Sequence, residues 1–570
     1  MVVLWLCRRP IIPRTRLVHL EAHRLGLSAT GEIHIMRERQ EPQADYIIIG
    51  AGSAGSALAH RLSEDPATKV LLLEAGKATH PFTPLPISFG LLIDKPGPNW
   101  RFFSEPEENT ANRKIPVPRG KLLGGSSSIN GQVWVRGQHL DYDTWGQFGN
   151  RGWSWSDVGP IFKRMESYEK GGDEFRGGTG PQNVTEINDR NPLYNAFFAA
   201  TAAAGHKPNP DYNGADQEGI VWTQASIRNG LRMSTAECYL KPIRDRQNLN
   251  IITEAHIRRL ILESKRCVGV EYERGGQVHW VRAGREIILS AGAIGSPQVL
   301  ELSGIGRPDV LKAHGVEVLH ELAPVGENLR DHIIPRLQWR ISKANYSYNQ
   351  RASGLGLIGE IARYLFTRRG FLTLPAAPIM GFLKTRPEVA SADIQFFMIP
   401  YAIKDVKRRK PQPFPAMGIS VCQLRPESLG SIHIRSADPY AQPAIRFNFM
   451  GERLDRDTLI DGVKMVRDIA QQAPLDEIRG PELVPGADVA TDDEIEHWIR
   501  TTSETAYHPI GTCRMGPDGV VDERLRVYGL EGLRVADASI FPTMPSGNTN
   551  APSIMVGEKC ADLTREDQHA

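Results

Sequence analysis

The sequence predicts an α/β protein, α+β overall, in which a Rossmann-like dinucleotide-binding domain carries an inserted antiparallel-sheet domain. Three observations predict it. Residues 45–74 read as strand, glycine turn, helix and strand in the span of one βαβ unit. A second glycine-rich stretch covers Arg119–Gly131. Between residues 345 and 500 the texture changes to short strands with polar alternation.

Residues 1–43 are rich in arginine and precede the first clear strand. They read as an N-terminal extension outside the fold, disordered or upstream of a true start near Met36. Organelle targeting by residues 1–40 is the alternative. Asp45–Ile49 is then a β-branched run that ends at Gly50, as a buried strand does. Ser56–Leu62 has helical spacing, Asp65-Pro66 stops it, and Val70–Leu73 is a second buried strand ending at Glu74. In the turn between them Gly50 permits the tight bend, Gly52 lets a pyrophosphate approach the backbone, and Gly55 lets the helix pack on the sheet. Glu74 lies 19 residues after Gly55, where a carboxylate can accept from a ribose and would repel a 2′-phosphate. This fingerprint disfavours NADP but does not separate NAD from FAD.

Further along, Ile251–Ile252, Ile257–Leu262, Val268–Tyr272 and Glu286–Leu289 read as strands. So do Ile394–Phe397, Gly418–Val421, Ser431–Ile434 and, last, Leu533–Asp537, before a closing helix near Ser553–Leu563. The nucleotide-binding domain is expected in three pieces, 44–190, 245–345 and 500–566. The substrate domain is expected at 191–244 and 346–499.

Bulk properties exclude several classes. A chain of 570 residues is too long for one ordinary core. The formal net charge of +2 argues against a nucleic-acid partner. The six cysteines are scattered without C-x-x-C spacing, which predicts neither a metal site nor a disulfide framework and suits a reducing, cytoplasmic setting. The longest apolar run, Phe371–Phe382, is short and broken by Pro375 and Pro378, so no transmembrane segment is expected. Peripheral membrane association stays compatible with this reading.

In Arg119–Gly131, two adjacent glycines followed by three serines offer open backbone and hydroxyl donors to a long polar ligand. Here the chain resembles the glucose–methanol–choline (GMC) oxidoreductase family. The likeness is carried by DYIIIGAGSAGSALAHRL with LLLEAG, by RGKLLGGSSSINGQVWVRG, by GAIGSPQVLELSGIG, by LRPESLGSIHIRSADPYAQPAI, and by AYHPIGTCRMG with RVADASIFPTMPSGNTNAPSIMVGEK. These stretches span residues 44–565 in order, and the overall look is nearest to bacterial choline dehydrogenases and related alcohol dehydrogenases.

The resemblance implies FAD. By position it assigns the ADP half to Gly50, Gly52, Gly55 and Glu74, and the flavin side to Gly124, Gly125, Ser126, Asn130 and Gly131. It places adenine against the backbone of Ile257, and Asp537 and Ala538 beside the pyrophosphate and ribityl chain. Some members carry at the position of Ile129 a histidine linked to the flavin; this chain cannot, so its FAD is expected to be non-covalent.

Alcohol oxidation needs a base, a hydride acceptor and support for a developing alkoxide. His508 falls on the family's catalytic histidine, and Asn550 is assigned to the second active-site position. Asn550 also precedes Ala551-Pro552 and an apolar helical run, as an N-cap does. The implied reaction is oxidation of a primary alcohol to an aldehyde by hydride transfer to flavin N5. Phe371–Phe382 holds no Asp or Glu, with Pro378 where choline-type relatives carry an acid, so an aliphatic or aryl alcohol is expected, with choline as the alternative. The electron acceptor stays open among a quinone, a carrier protein and oxygen. An NAD-dependent Rossmann dehydrogenase or a non-catalytic flavoprotein are the rival classes; the first leaves Arg119–Gly131 and the C-terminal motifs without a role.

Overall fold

The computed structural model describes residues 43–569 apart from residues 188, 353 and 406–409, so the arginine-rich extension lies outside the described residues. The chain opens with β1 (Ala44–Ile49), α1 (Ser53–Leu62) and β2 (Val70–Leu73), as the βαβ pattern requires. It later contributes β3 (Gly219–Trp222) to a second sheet and returns to the first with β4 (Leu249–Ile252). There follow the meander β5 (His256–Glu263), β6 (Arg266–Arg274) and β7 (Gln277–Leu289), and then helix α2 (Gly292–Leu302). The next elements are β8 (Arg336–Ile341), helix α3 (Gly354–Thr367), β9 (Ile379–Leu383), β10 (Ile394–Ile399), β11 (Ala416–Gln423), helix α4 (Arg453–Gln471) and β12 (Arg479–Val484). The chain closes with β13 (Leu533–Val535) and helix α5 (Asn550–His569).

The first sheet runs β4-β2-β1-β7, with β13 on the far side of β7, all parallel. β1 and β2 are almost wholly buried, which is what a β-branched run covered on both faces predicts. β7 does two jobs. Its first half pairs antiparallel with β6, and its second half lies in the parallel sheet. Sequence pattern resolves only the second half, Glu286–Leu289, because the first half is mostly half-buried and mixes apolar with polar residues. The second sheet is six-stranded and antiparallel, ordered β12-β8-β11-β10-β9-β3. β8 belongs to it, although Arg336–Ile341 falls in a stretch read above with the nucleotide-binding pieces. Ser431–His433 pairs only with Ala444–Arg446 and stands apart from this sheet.

Each sheet has its own apolar core. One gathers Ile47, Leu72, Ile288, Val535 and Ile554 around the parallel sheet. The other gathers Phe396, Ile419, Val421, Val463 and Trp498 around the antiparallel sheet and α4. The functional cavity lies where the C-terminal ends of the parallel strands meet the antiparallel sheet, the place where open α/β sheets bind ligands.

Candidate active site

A cavity of about 990 Å³ receives residues from both sheets. Its nucleotide end is built from backbone. Gly50 bends at φ +97°, and its N–H donates to the Leu73 carbonyl at 2.8 Å. A Cβ on Gly55 would stand 1.9 Å from the Gly50 carbonyl oxygen, so α1 can start only on glycine there. At Gly52 a Cβ would meet nothing within 4 Å, and no side chain caps α1. The first N–H groups of α1 therefore face open cavity, where an anion fits.

Glu74 is fully buried and receives N–H donors from Gly76 at 2.8 Å and Ala51 at 3.0 Å. Burial still pushes its carboxyl up to about 7. Ribose hydroxyls would supply the donors this carboxylate lacks. Ile257 lines the same end, beside His256 stacked on Tyr440 at 4.3 Å. Asp537 lies where β13 leaves the sheet, and its oxygens are committed. They accept from Gly292 N–H at 2.8 Å, the Ser296 hydroxyl at 2.6 Å and Ser539 N–H at 2.7 Å. Asp537 thereby ties the start of α2 to the turn at Ala538, and both Asp537 and Ala538 face the cavity.

The second glycine stretch closes onto the first. Gly124 N–H donates to the Ala51 carbonyl at 2.8 Å, and a Cβ on Gly125 would sit 2.7 Å from the Gly52 Cα. Gly125, Ser126, Ile129, Asn130 and Gly131 line the cavity, while Gly124 supports them from behind. Asn130 accepts from Gln132 N–H at 3.1 Å and from Arg232 at 3.0 Å. Arg232 is fully buried and otherwise donates to carbonyls, and burial without a carboxylate partner pushes it down to about 9. An open helix terminus, a glycine cradle and a buried carboxylate with acceptor capacity to spare fit FAD.

The far end is built from side chains distant in sequence. His508 is buried and lines the cavity. Its Nδ1 lies 3.0 Å from Nδ1 of His332, and its Nε2 lies 3.0 Å from the Asn548 amide nitrogen. His332 Nε2 is 2.9 Å from the Leu424 carbonyl oxygen. A carbonyl only accepts, so His332 Nε2 carries the proton and its Nδ1 accepts. His508 Nδ1 must then donate, which leaves the lone pair on His508 Nε2. The Asn548 oxygen accepts from Gln395 at 3.3 Å, so its NH2 group faces that lone pair. Burial, helped by His332 and Arg119, holds His508 well below the ordinary imidazole range. Burial likewise lowers His332 to about 4. Both rings are therefore neutral at pH 7.

The loop that carries His508 is strained and pinned. Tyr507 adopts φ +70°, a conformation costly for a non-glycine residue. Asp331 accepts from His508 N–H at 2.8 Å and from the Thr505 hydroxyl, Arg119 donates to the Tyr507 carbonyl, and Ala506 N–H donates to the His332 carbonyl at 2.7 Å.

Asn550 does not reach His508. Its side-chain oxygen accepts from the Ser53 hydroxyl at 2.8 Å, joining the starts of α5 and α1. Nor is it the cap: the Thr549 carbonyl accepts the first helical bond, from Ser553 N–H at 3.1 Å, so Asn550 is already in the first turn. The amide that faces His508 belongs to Asn548, two residues earlier in Gly547-Asn548-Thr549-Asn550. Two asparagines so close look alike in sequence; only the start of the helix turns one to His508 and the other to α1. Asp331 and His332 were also unread, because they lie 177 and 176 residues before His508, which both touch.

Charge is uneven along the cavity. The acids that line it are Glu74 and Asp537, both at the nucleotide end, while Arg336 lines the antiparallel-sheet wall. Arg336 pairs with Glu504 at 3.3 Å. Ile334, between Arg336 and His332, is in register with Glu504. Among the described residues no helix is long and apolar enough to cross a membrane, and no cluster of His, Cys, Asp and Glu is arranged to hold a metal.

The chain as a whole is similar to known proteins. The GMC oxidoreductase profiles match residues 44–334 and 426–557. An oxygen-dependent choline dehydrogenase of Sinorhizobium fredii is 43% identical over 526 residues, 91% of this chain and 95% of the relative. Its counterpart in Brucella anthropi is 41% identical over 541 residues, covering 92% and 97%. The crystal structure of pyridoxine 4-oxidase from Mesorbium loti superposes with a TM-score of 0.84 at 30% identity, covering 93% of this chain and 100% of the other. A variant of the Aspergillus oryzae formate oxidase superposes at 0.86 with 26% identity, covering 92% and 98%. The chain therefore belongs to the GMC oxidoreductase family and is an FAD-dependent oxidoreductase acting on CH–OH donors.

Proposed function

We propose that this enzyme oxidises a primary alcohol to an aldehyde with His508 as the base and Asn548 beside it. The observation that carries the reading is the line Leu424, His332, His508, Asn548, which leaves a lone pair on His508 Nε2 next to an amide donor. A substrate hydroxyl entering there donates to Nε2 and accepts from Asn548. As the proton moves to Nε2, the amide supports the charge gathering on oxygen. FAD, held by Gly50, Gly52, Gly55, Glu74 and the Gly124–Gly131 stretch, supplies the hydride acceptor. Ser53 and Asn550 lock together two helix starts whose positive ends favour negative charge in the cavity. Replacing His508 by alanine tests the reading through anaerobic flavin bleaching: an unchanged rate of bleaching by substrate would end it.

Choline is the first substrate to try, because the relatives at 41–43% identity bear its name. Similarity supports choline better than the uncharged alcohol expected from the Phe371–Phe382 wall. One observation favours the uncharged alcohol: Arg336 lines the cavity, and no carboxylate outside the nucleotide end does so among the described residues. Bleaching rates with choline and with its uncharged carbon isostere separate the two. Faster bleaching by choline at equal concentration removes the second reading.

Ile129 is buried against Leu92 and Leu122 and offers the flavin no nucleophilic atom, which supports non-covalent FAD. The name of the relatives supports oxygen as acceptor over a quinone or a carrier protein. The five described cysteines are free and buried, which supports a cytoplasmic setting.

A further inference from the structure

The helix α3 has two faces. Its inner face packs Leu357 and Tyr364 into a small apolar cluster with Phe371 and Leu372. Glu360, also on the inner face, accepts from Phe371 N–H at 3.1 Å, and the Tyr364 hydroxyl donates to the Gly230 carbonyl at 3.2 Å. The helix is thus anchored from within. Its outer face is uncovered among the described residues: Leu355 is 87% exposed, Ile358 62%, Leu365 62% and Phe366 89%. These positions recur at helical spacing and form one apolar stripe about 21 Å long for a 14-residue helix. A stripe this continuous is rare on a free surface.

The charges around the stripe are predominantly positive. Of Arg351, Arg363, Arg368 and Arg369, between residues 350 and 370, the first two pair with the buried Glu360 at 3.6 and 3.9 Å, and that residue is the sole acid in the stretch. Packing this face on a second copy about a two-fold axis would set arginines against arginines. Apolar side chains rimmed by arginine instead match a bilayer surface with anionic headgroups. The cavity opens beside this face, because Ile361 and Leu91 are both exposed and both line it.

We propose that α3 is an interfacial helix that seats the enzyme on an anionic lipid bilayer, with Leu355, Ile358, Leu365 and Phe366 entering the acyl boundary and the arginines meeting the headgroups. The cavity mouth then faces the lipid; resting on the uncharged-alcohol reading above, an apolar alcohol dissolved in the bilayer reaches His508 without crossing bulk water, while the seating of α3 itself holds for either substrate.

The test is co-sedimentation of the FAD-loaded full chain with vesicles of phosphatidylcholine, with and without phosphatidylglycerol. Binding is expected to the anionic vesicles, reduced by raised salt. A Leu355→Glu, Phe366→Glu double variant should lose at least about tenfold in partitioning. Its flavin content and its turnover of a water-soluble alcohol with a dye acceptor should stay at the parent level, since neither side chain lines the cavity. An Arg368→Glu, Arg369→Glu variant should lose binding to anionic vesicles alone, and it carries the test if the first variant fails to fold. Three results overturn the proposal. The parent protein fails to sediment with either vesicle, both variants sediment like the parent, or the parent is a dimer by light scattering that the first variant splits without any vesicle binding.

Discussion

The two ends of the cavity are built on different principles. The nucleotide end is mostly backbone: the glycines of one βαβ unit, the open start of α1, and a carboxylate at the end of the next strand. The parts of that unit, Gly50 to Glu74, lie within 25 residues of one another, and what matters in its turn is the absence of side chains. The base end is the reverse. His332, Gln395, His508 and Asn548 come from four separate stretches and meet only because the antiparallel sheet and the C-terminal segment converge. Each is defined by which atom of its side chain donates and which accepts. The first end is intolerant of added atoms; the second is intolerant of lost ones.

The largest effect should come from adding atoms at the first end. Gly55→Val places carbon against the Gly50 carbonyl, and the expected outcome is protein without flavin absorbance near 450 nm, or none that is soluble. Yellow, soluble Gly55→Val protein would show that the cradle is looser than its contacts imply. Next is loss of the base. His508→Ala should slow flavin bleaching by about 10² to 10⁴-fold while FAD stays bound.

A third comparison sharpens the base end itself. Asn548→Ala should cost about 10²-fold in the rate of bleaching, as loss of one aimed donor does. Asn550→Ala should cost about fivefold or less, because its partner is Ser53. The opposite order would return the catalytic amide to Asn550.

The effects of pH have a definite sign. His508 is held well below the ordinary imidazole range by burial, so it protonates only at acid pH, and kcat/KM should stay flat through neutrality, with its acid limb displaced below that of an ordinary imidazole. An acid limb at pH 7 or above would contradict the buried neutral pair. His332 adds a stability effect of the same sign. The unfolded chain takes up this proton below 6.5 and the folded chain only near 4, so stability declines as pH falls through that window, by about 3 kcal/mol from this ring. Denaturant midpoints at pH 7 and pH 5 check it. The smallest effect is expected for Glu74→Gln, which keeps the shape and one acceptor oxygen. FAD should dissociate a few-fold faster in dialysis, and complete retention would remove Glu74 from the ribose.

Much of this was legible beforehand. The glycine fingerprint, Glu74 and the two β-branched strands were readable because their contacts are local. Asn130, Asp537 and Ala538 were placed near the cavity by resemblance, and the structure adds that the Asp537 oxygens are consumed by the start of α2. The amide that faces His508 is Asn548, two residues before the Asn550 singled out in sequence, since which of the two turns to the histidine depends on where α5 begins. The role of Arg336 was invisible, because β8 reads in sequence as a continuation of the nucleotide-binding pieces.

The sequence by itself determined the parallel sheet, its glycine turn and the chemical class, and it singled out His508, which the structure places in the cavity. Those features follow from short-range periodicity and from residues whose backbone freedom or proton affinity is intrinsic. Only the tertiary structure decided which nitrogen of His508 holds the lone pair, which asparagine faces it, what charge lines the substrate wall and which face of α3 is left bare. These depend on atoms brought together across hundreds of residues, where hydrogen-bond direction and burial are properties of the assembled surroundings and of no segment alone.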